Sequence, residues 1–434
     1  MKRAPDFLAG AKSRLLPMSL PFRYFAAAVV FHIGAWLALF ADAQAATRFA
    51  GGLGMPLASL HLATLGVLTM TAIGASLQLL PVATRRPVAS ERAPAAIFVV
   101  IVPAIAALAF GMARGATAIL AAGALAVAGA LAVYAWLLAR NLAGAKGMPV
   151  VVAHGWAALA SLVVTLASGA ALALSYTVAL PIDRGTAIAL HIVFAAYGFM
   201  GMLAMGVSYI LLPMFALAPA PGERRAWTSA ALAVGALAVA ALAEFGVASA
   251  AFRIVAIVAG AAAFALHVRL MATTLRAGLR RSLGRPLVLV RAGWAAIGAS
   301  FAAALAIAID VPFDPLPALF GTLLIGGLVT FLLGILARIV PFLASMHAAG
   351  GPRPPTPSAL TDERSLGIHV GLHLSALALL VAAVVAGSAT LTRLAAAAGT
   401  AGGVAFAAFF ATAWRRAAAA RSARERVGPL RQIK

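Results

Sequence analysis

Apolar residues fall in twelve long runs, separated by short polar or charged connections. The runs cover approximately residues 21–41, 57–81, 94–113, 116–139, 149–176, 185–217, 227–248, 251–275, 287–309, 316–343, 366–388 and 391–414. About 20 apolar residues carry an α-helix across the hydrocarbon core of a bilayer, and each run meets that length. Strict apolar–polar alternation is absent, which argues against a β-barrel. In lipid the backbone must satisfy its own hydrogen bonds, so helices are the expected solution. The pattern predicts an all-α, polytopic membrane protein. Residues 1–20 form a basic amino-terminal segment, 21–414 the twelve-helix domain, and 415–434 a basic tail.

The polar residues add orientation. With the amino terminus on the inner side, all but five of the 33 Lys and Arg fall on or beside inner connections and tails. The outer five are Arg48, Arg114, Arg184, Arg253 and Arg393. That bias fits the positive-inside rule, so both termini are expected in the cytoplasm of a bacterial-type inner membrane. The net charge of +22 is read as attraction to an anionic inner leaflet and not to nucleic acid. Hydrophobic residues make up 64% of the chain, well beyond a soluble domain. There is no Cys, which excludes disulfides, thiolate metal sites and iron–sulfur clusters. No cleavable signal is evident. The one linker-like stretch is Gly350–Arg364, rich in Pro and charge.

A repeat of four helices runs three times through the chain. Segments 2, 6 and 10 each carry a Gly seven residues before a Pro: Gly74 and Pro81, Gly206 and Pro213, Gly334 and Pro341. A small residue permits close helix approach, and Pro stops or kinks a helix. The first helix of each set also offers a match: His32-Ile-Gly34-Ala-Trp36, His154-Gly155-Trp156 and Gly293-Trp294. Three pseudo-symmetric four-helix repeats follow, with segments 2, 6 and 10 lining the interior.

The eight His are the main candidates for chemistry. Ionisable groups within a membrane are costly and usually face the bundle interior. Neutral imidazole is a common ligand of haem iron and copper. His61 and His191 lie near the outer starts of segments 2 and 6, at matching depth in two repeats. They are the leading haem or metal ligands, with interhelical hydrogen bonding as the plainer role. His32, in the middle of segment 1, is the next metal candidate. His369 and His373 share a helix face by their i, i+4 spacing, which suits a metal but also a pair of headgroup-level side chains, the reading favoured here. His267 is assigned to the interface and His347 to a loop, while His154 lies toward an inner helix end. Tyr209 is placed in the inner aromatic belt, and Met200, Met202 and Met205 are assigned to packing. Glu244 is the only acid expected within a helix, so the carboxylate chain of a proton pump is missing. Asp310 and Asp314 are read as turn residues.

The layout resembles the catalytic subunit of the haem–copper oxidase superfamily. His61-Leu-Ala-Thr-Leu-Gly-Val-Leu-Thr-Met leading to Leu-Leu-Pro81 is similar to the superfamily's second helix, which carries a haem ligand. Leu20-Pro21-Phe22-Arg23-Tyr24-Phe25 before a helix ending in Trp36 resembles the opening of the NnrS family, twelve-helix haem- and copper-containing membrane proteins associated with nitric oxide. The resemblance implies haem, with copper as a second cofactor, a diatomic gas as ligand, and respiratory-complex subunits as partners. The sequence departs from the oxidase pattern in segment 10. That segment reads Leu319-Phe320-Gly321-Thr322-Leu323-Leu324 where an oxidase carries two haem-binding His. It departs again near residues 249–253, where the oxidase copper-site His pair is missing. The NnrS family's paired His around segment 2 are also lacking. Oxygen reduction coupled to pumping is therefore not expected, and whether the chain is an enzyme stays open. Two other functions fit the repeat: a small-solute transporter, and a non-catalytic assembly partner of a respiratory complex.

Overall fold

A computed structural model describes residues 16–427, apart from 89, 247–248, 281–282 and 349–354. Its twelve helices are long and apolar enough to cross a membrane. They are α1 (Ser19–Ala41), α2 (Met55–Ala83), α3 (Arg92–Arg114), α4 (Thr117–Ala143), α5 (Pro149–Leu174) and α6 (Arg184–Ala216). Then come α7 (Glu223–Glu244), α8 (Ser249–Ala277), α9 (Arg285–Ala308), α10 (Leu316–Ala348), α11 (Glu363–Ala386) and α12 (Ala389–Val427). Each expected segment is found within a few residues, except at the ends of α10 and α12.

The helices do not end at the conserved-spacing prolines. Pro81 and Pro213 lie inside α2 and α6, and α10 runs seven residues past Pro341 to Ala348. Likewise α12 continues through Arg415 to Val427, so the basic tail begins as helix. Ala and Arg favour helix, and the first breakers in that stretch are Gly428 and Pro429, outside the described residues with the rest of the terminus. The amino-terminal segment lies outside them up to residue 15, and the linker-like stretch in part. The linker's described end carries a short helix, Pro357–Leu360, and Asp362 caps α11.

Packing neighbours recur every four helices. In each set the first helix packs on the second (α1–α2, α5–α6, α9–α10), and the third on the fourth (α3–α4, α7–α8, α11–α12). The fourth packs on the first helix of the next set: α4 on α5, α8 on α9, and α12 back on α1, closing a ring. A void of about 50 Å³ lies at the centre, and its lining comes from α2, α6 and α10 alone. Most of α2 and α10 is buried, whereas α6 is more exposed than its place in the repeat implied.

The paired glycines explain how the second helix seats on the first. A Cβ on Gly74 would stand 2.7 Å from the Phe25 ring; on Gly206, 2.7 Å from Cβ of His154; on Gly334, 2.7 Å from the carbonyl oxygen of Pro286. Seven or eight residues earlier, Gly66 meets Phe31, Gly198 meets Ser161 at 2.6 Å, and Gly327 meets Ile297 at 2.9 Å. Small residues at both points let the backbones approach. These contacts correct the register read from the first helices. His154 occupies the place of Phe25, about two turns from the place of His32. The Trp residues of that match differ in surroundings too: Trp156 is exposed and Trp294 buried.

Candidate functional site

Both α2 and α6 change winding within two residues of their histidine. Leu62–Thr69, following His61, and Val193–Gly201, following His191, are π-helical. Each residue there bonds five back instead of four, a rare geometry that is frequent at functional sites. Thr69 marks the widened turn, its hydroxyl donating to the carbonyl of Thr64 five residues earlier at 3.0 Å. By contrast α10, whose set lacks the histidine, is α-helical throughout.

His61 and His191 come together. Their rings lie with centroids 6.3 Å apart and planes inclined by only 18°. In His61, Nδ1 lies 3.0 Å from the carbonyl oxygen of Leu57; in His191, Nδ1 lies 3.2 Å from that of Thr165 on α5. A carbonyl only accepts, so each Nδ1 carries the proton and each Nε2 keeps its lone pair, the tautomer of a metal-ligating imidazole. Gly169 admits the His191 ring, since a Cβ there would stand 2.8 Å from its Cε1. Both rings are partly exposed. The corresponding stretch of α10 offers Gly321, where a Cβ would meet nothing within 4 Å.

His32 does not join this pair. Its ring neighbours are His373 at 5.5 Å, His369 at 6.3 Å and Trp36 at 6.3 Å. His369 and His373 are buried, not at headgroup level. Glu363 starts α11, so at 1.5 Å per residue they lie about 9 and 15 Å into the helix. His267 is buried as well, correcting its interfacial assignment, and so is Tyr209. The Tyr209 ring lies between His154, 5.5 Å away, and His267, 5.1 Å away. His347, given no role from sequence, ends α10 with its Nε2 3.2 Å from Nε2 of Gln78.

The remaining polar residues take plain structural roles. Glu244 closes α7 and pairs with Arg253 on α8 through contacts of 2.9 and 3.2 Å. Tyr197 turns to Ser300 on α9 at 2.9 Å. Met200 and Met202 are buried in packing. A second void, about 270 Å³, lies at the Pro81 end of α2 beside Arg86, Arg140 and Asn141, and no histidine lines it. Among the described residues, no three acidic, His or Cys side chains already converge in a geometry that would hold a metal ion.

The same arrangement of helices occurs in a chain from the cryo-EM structure of a heme-copper terminal oxidase dimer. The two superpose with a TM-score of 0.62, covering 94% of this chain and 84% of that one. No family model and no curated protein matches the sequence. At 13% identity, the likeness to the oxidase is one of fold: a twelve-helix membrane bundle of the haem–copper oxidase type.

Proposed function

We propose that this protein binds haem in the membrane, and that His61 and His191 are the residues that would hold its iron. The observation that carries the reading is their convergence. Two matching helices bring two imidazoles to 6.3 Å, each with Nδ1 tied to a carbonyl and Nε2 free. Two free Nε2 atoms on neighbouring rings are the donors that a haem iron would need, and His61 and His191 would hold it. Haem iron held by one imidazole binds a diatomic gas, and held by two it serves electron transfer. The chain's own part is to fix the two rings: Leu57 and Thr165 set the tautomer, Gly169 seats His191, and the π-helical turns aim both side chains. A copper ion is the alternative occupant of the same pair. The resemblance to NnrS and the oxidase-like fold support a role in nitric oxide or respiratory metabolism, beside respiratory-complex subunits, as part of the same reading.

The test is the optical spectrum of protein purified from haem-replete cells. A Soret band is expected. His61→Ala and His191→Ala should each lose most of the haem while circular dichroism stays unchanged. A wild-type protein with no Soret band overturns the reading and leaves the transporter and scaffold roles. A double variant that keeps its haem overturns the ligand assignment.

A further inference from the structure

We propose that His32, His369 and His373 form a second metal site, independent of His61 and His191, for a monovalent d10 cation such as copper(I). The three rings lie between α1, α10, α11 and α12, and all are at most 2% exposed. Their centroids are 5.4, 5.5 and 6.3 Å apart. Three imidazoles around one ion, with bonds of about 2.0 Å, place their centres about 5.5 Å apart.

The hydrogen bonds show which atoms are free to ligate. Thr330 on α10 donates its single hydroxyl proton to the carbonyl of Gly326 at 2.7 Å. Its 2.9 Å contact with Nε2 of His373 is therefore donated by the imidazole, which leaves the lone pair on Nδ1. His369 donates from Nδ1 to the carbonyl of Gly402 on α12 at 2.9 Å, which leaves the lone pair on Nε2. Those two atoms, Nδ1 of His373 and Nε2 of His369, are buried without a partner, and so is Nε2 of His32. Three orphaned ring nitrogens in one cluster are costly unless something binds them, since buried polar groups are nearly always satisfied. Thr330 and Gly402 occupy the outer positions that orient metal-bound imidazoles elsewhere. The longest separation belongs to His32, whose ring no hydrogen bond fixes among the described residues. A small change in its χ1 would bring the ring inward, and a turn about χ2 would then aim its Nε2 without moving the ring centre. Room is left by α12, where a Cβ on Gly403 would stand 3.3 Å from the His32 ring.

The charge of the ion follows from the surroundings. Every acidic residue outside the terminal segments lies at a helix end or in a connection, so none faces the cluster. Imidazole suits copper and zinc alike, but a second uncompensated charge deep in the bundle adds to the desolvation cost.

The experiment titrates copper(I), anaerobically and against bicinchoninate, into the full-length His61→Ala/His191→Ala protein, with zinc(II) in parallel. One copper(I) per chain should bind. Thr330→Val should weaken it about 10–100-fold. Replacing His32, His369 and His373 together by Ala should abolish it. Thr330→Val carries the test if the triple variant fails to fold by circular dichroism and gel filtration. Absence of copper(I) binding, its survival in the folded triple variant, or an unchanged affinity in Thr330→Val overturns the site. Tighter binding of zinc(II) overturns the choice of a monovalent ion.

Discussion

Two glycines on α10 should respond oppositely to the same methyl group. At Gly334 a Cβ would lie 2.7 Å from the carbonyl oxygen of Pro286 and 3.0 Å from both Leu289 and Val290. The nearest obstacle is backbone on α9, which cannot rotate away. Overpacking of this kind costs about 1–3 kcal/mol, and a backbone obstacle points to the upper end. Replacing Gly by Ala in a helix returns about 1 kcal/mol through propensity. At Gly321 nothing lies within 4 Å, so only the favourable part remains. The propensity gain cancels between the two variants, and their difference is the steric cost alone. That difference corresponds to roughly a 10–100-fold change in the unfolding equilibrium constant. Reversible unfolding of purified Gly334→Ala and Gly321→Ala in mixed SDS micelles, followed by circular dichroism, measures it. Equal stabilities would show that α9 and α10 do not meet at Gly334, and the repeated seating of second helix on first would lose its basis.

Reporter fusions after Arg225 and after Asp314 should report cytoplasmic and external sides respectively; the same side for both refutes the orientation read from the basic residues. The Asp362 carboxylate is held below its usual range, chiefly by the Ser365 hydroxyl at 2.6 Å, so it stabilises the start of α11 above its unfolded pKa of about 4 and that contribution fades as pH falls through the lower folded value. Asp362→Ala should cost about 1 kcal/mol at neutral pH and flatten the acid limb of a pH–stability curve; an unaltered limb rules the cap out. Residues of α1–α4, α5–α8 and α9–α12 should superpose under a common rotation relating α2, α6 and α10, as least-squares superposition of the three sets measures, and failure to do so removes the threefold repeat.

The spans were legible because their signal is summed over some twenty residues, and Gly–Pro spacing marked the three second helices. His61 and His191 were legible as a pair because equal depth in matching helices needs no knowledge of side-chain direction. His369, His373 and His267 were misplaced for a different reason. Charges near a helix end, Arg364 and Arg269 among them, draw the eye to the interface, but ten residues of helix reach the middle of a bilayer about 30 Å thick. The π-helical turns left no clear mark. Gly66 and Gly198 sit within them, yet Gly326 shows the same residue in an unbroken helix.

A widened turn is also a phase shift. Each residue added to a helix rotates everything beyond it by about 100°. In α2 and α6 the shift falls between the histidine and the Gly74–Pro81 or Gly206–Pro213 half, so the amino-terminal end is aimed independently of the half that packs. The third set has no such joint, and its amino-terminal end stays geared to its packing register. A histidine placed at Gly321 would accordingly follow the gearing of α10 and not the aim of His61 and His191. Three four-helix sets with the same packing neighbours can thus share a common base while two of them carry a separately aimed histidine.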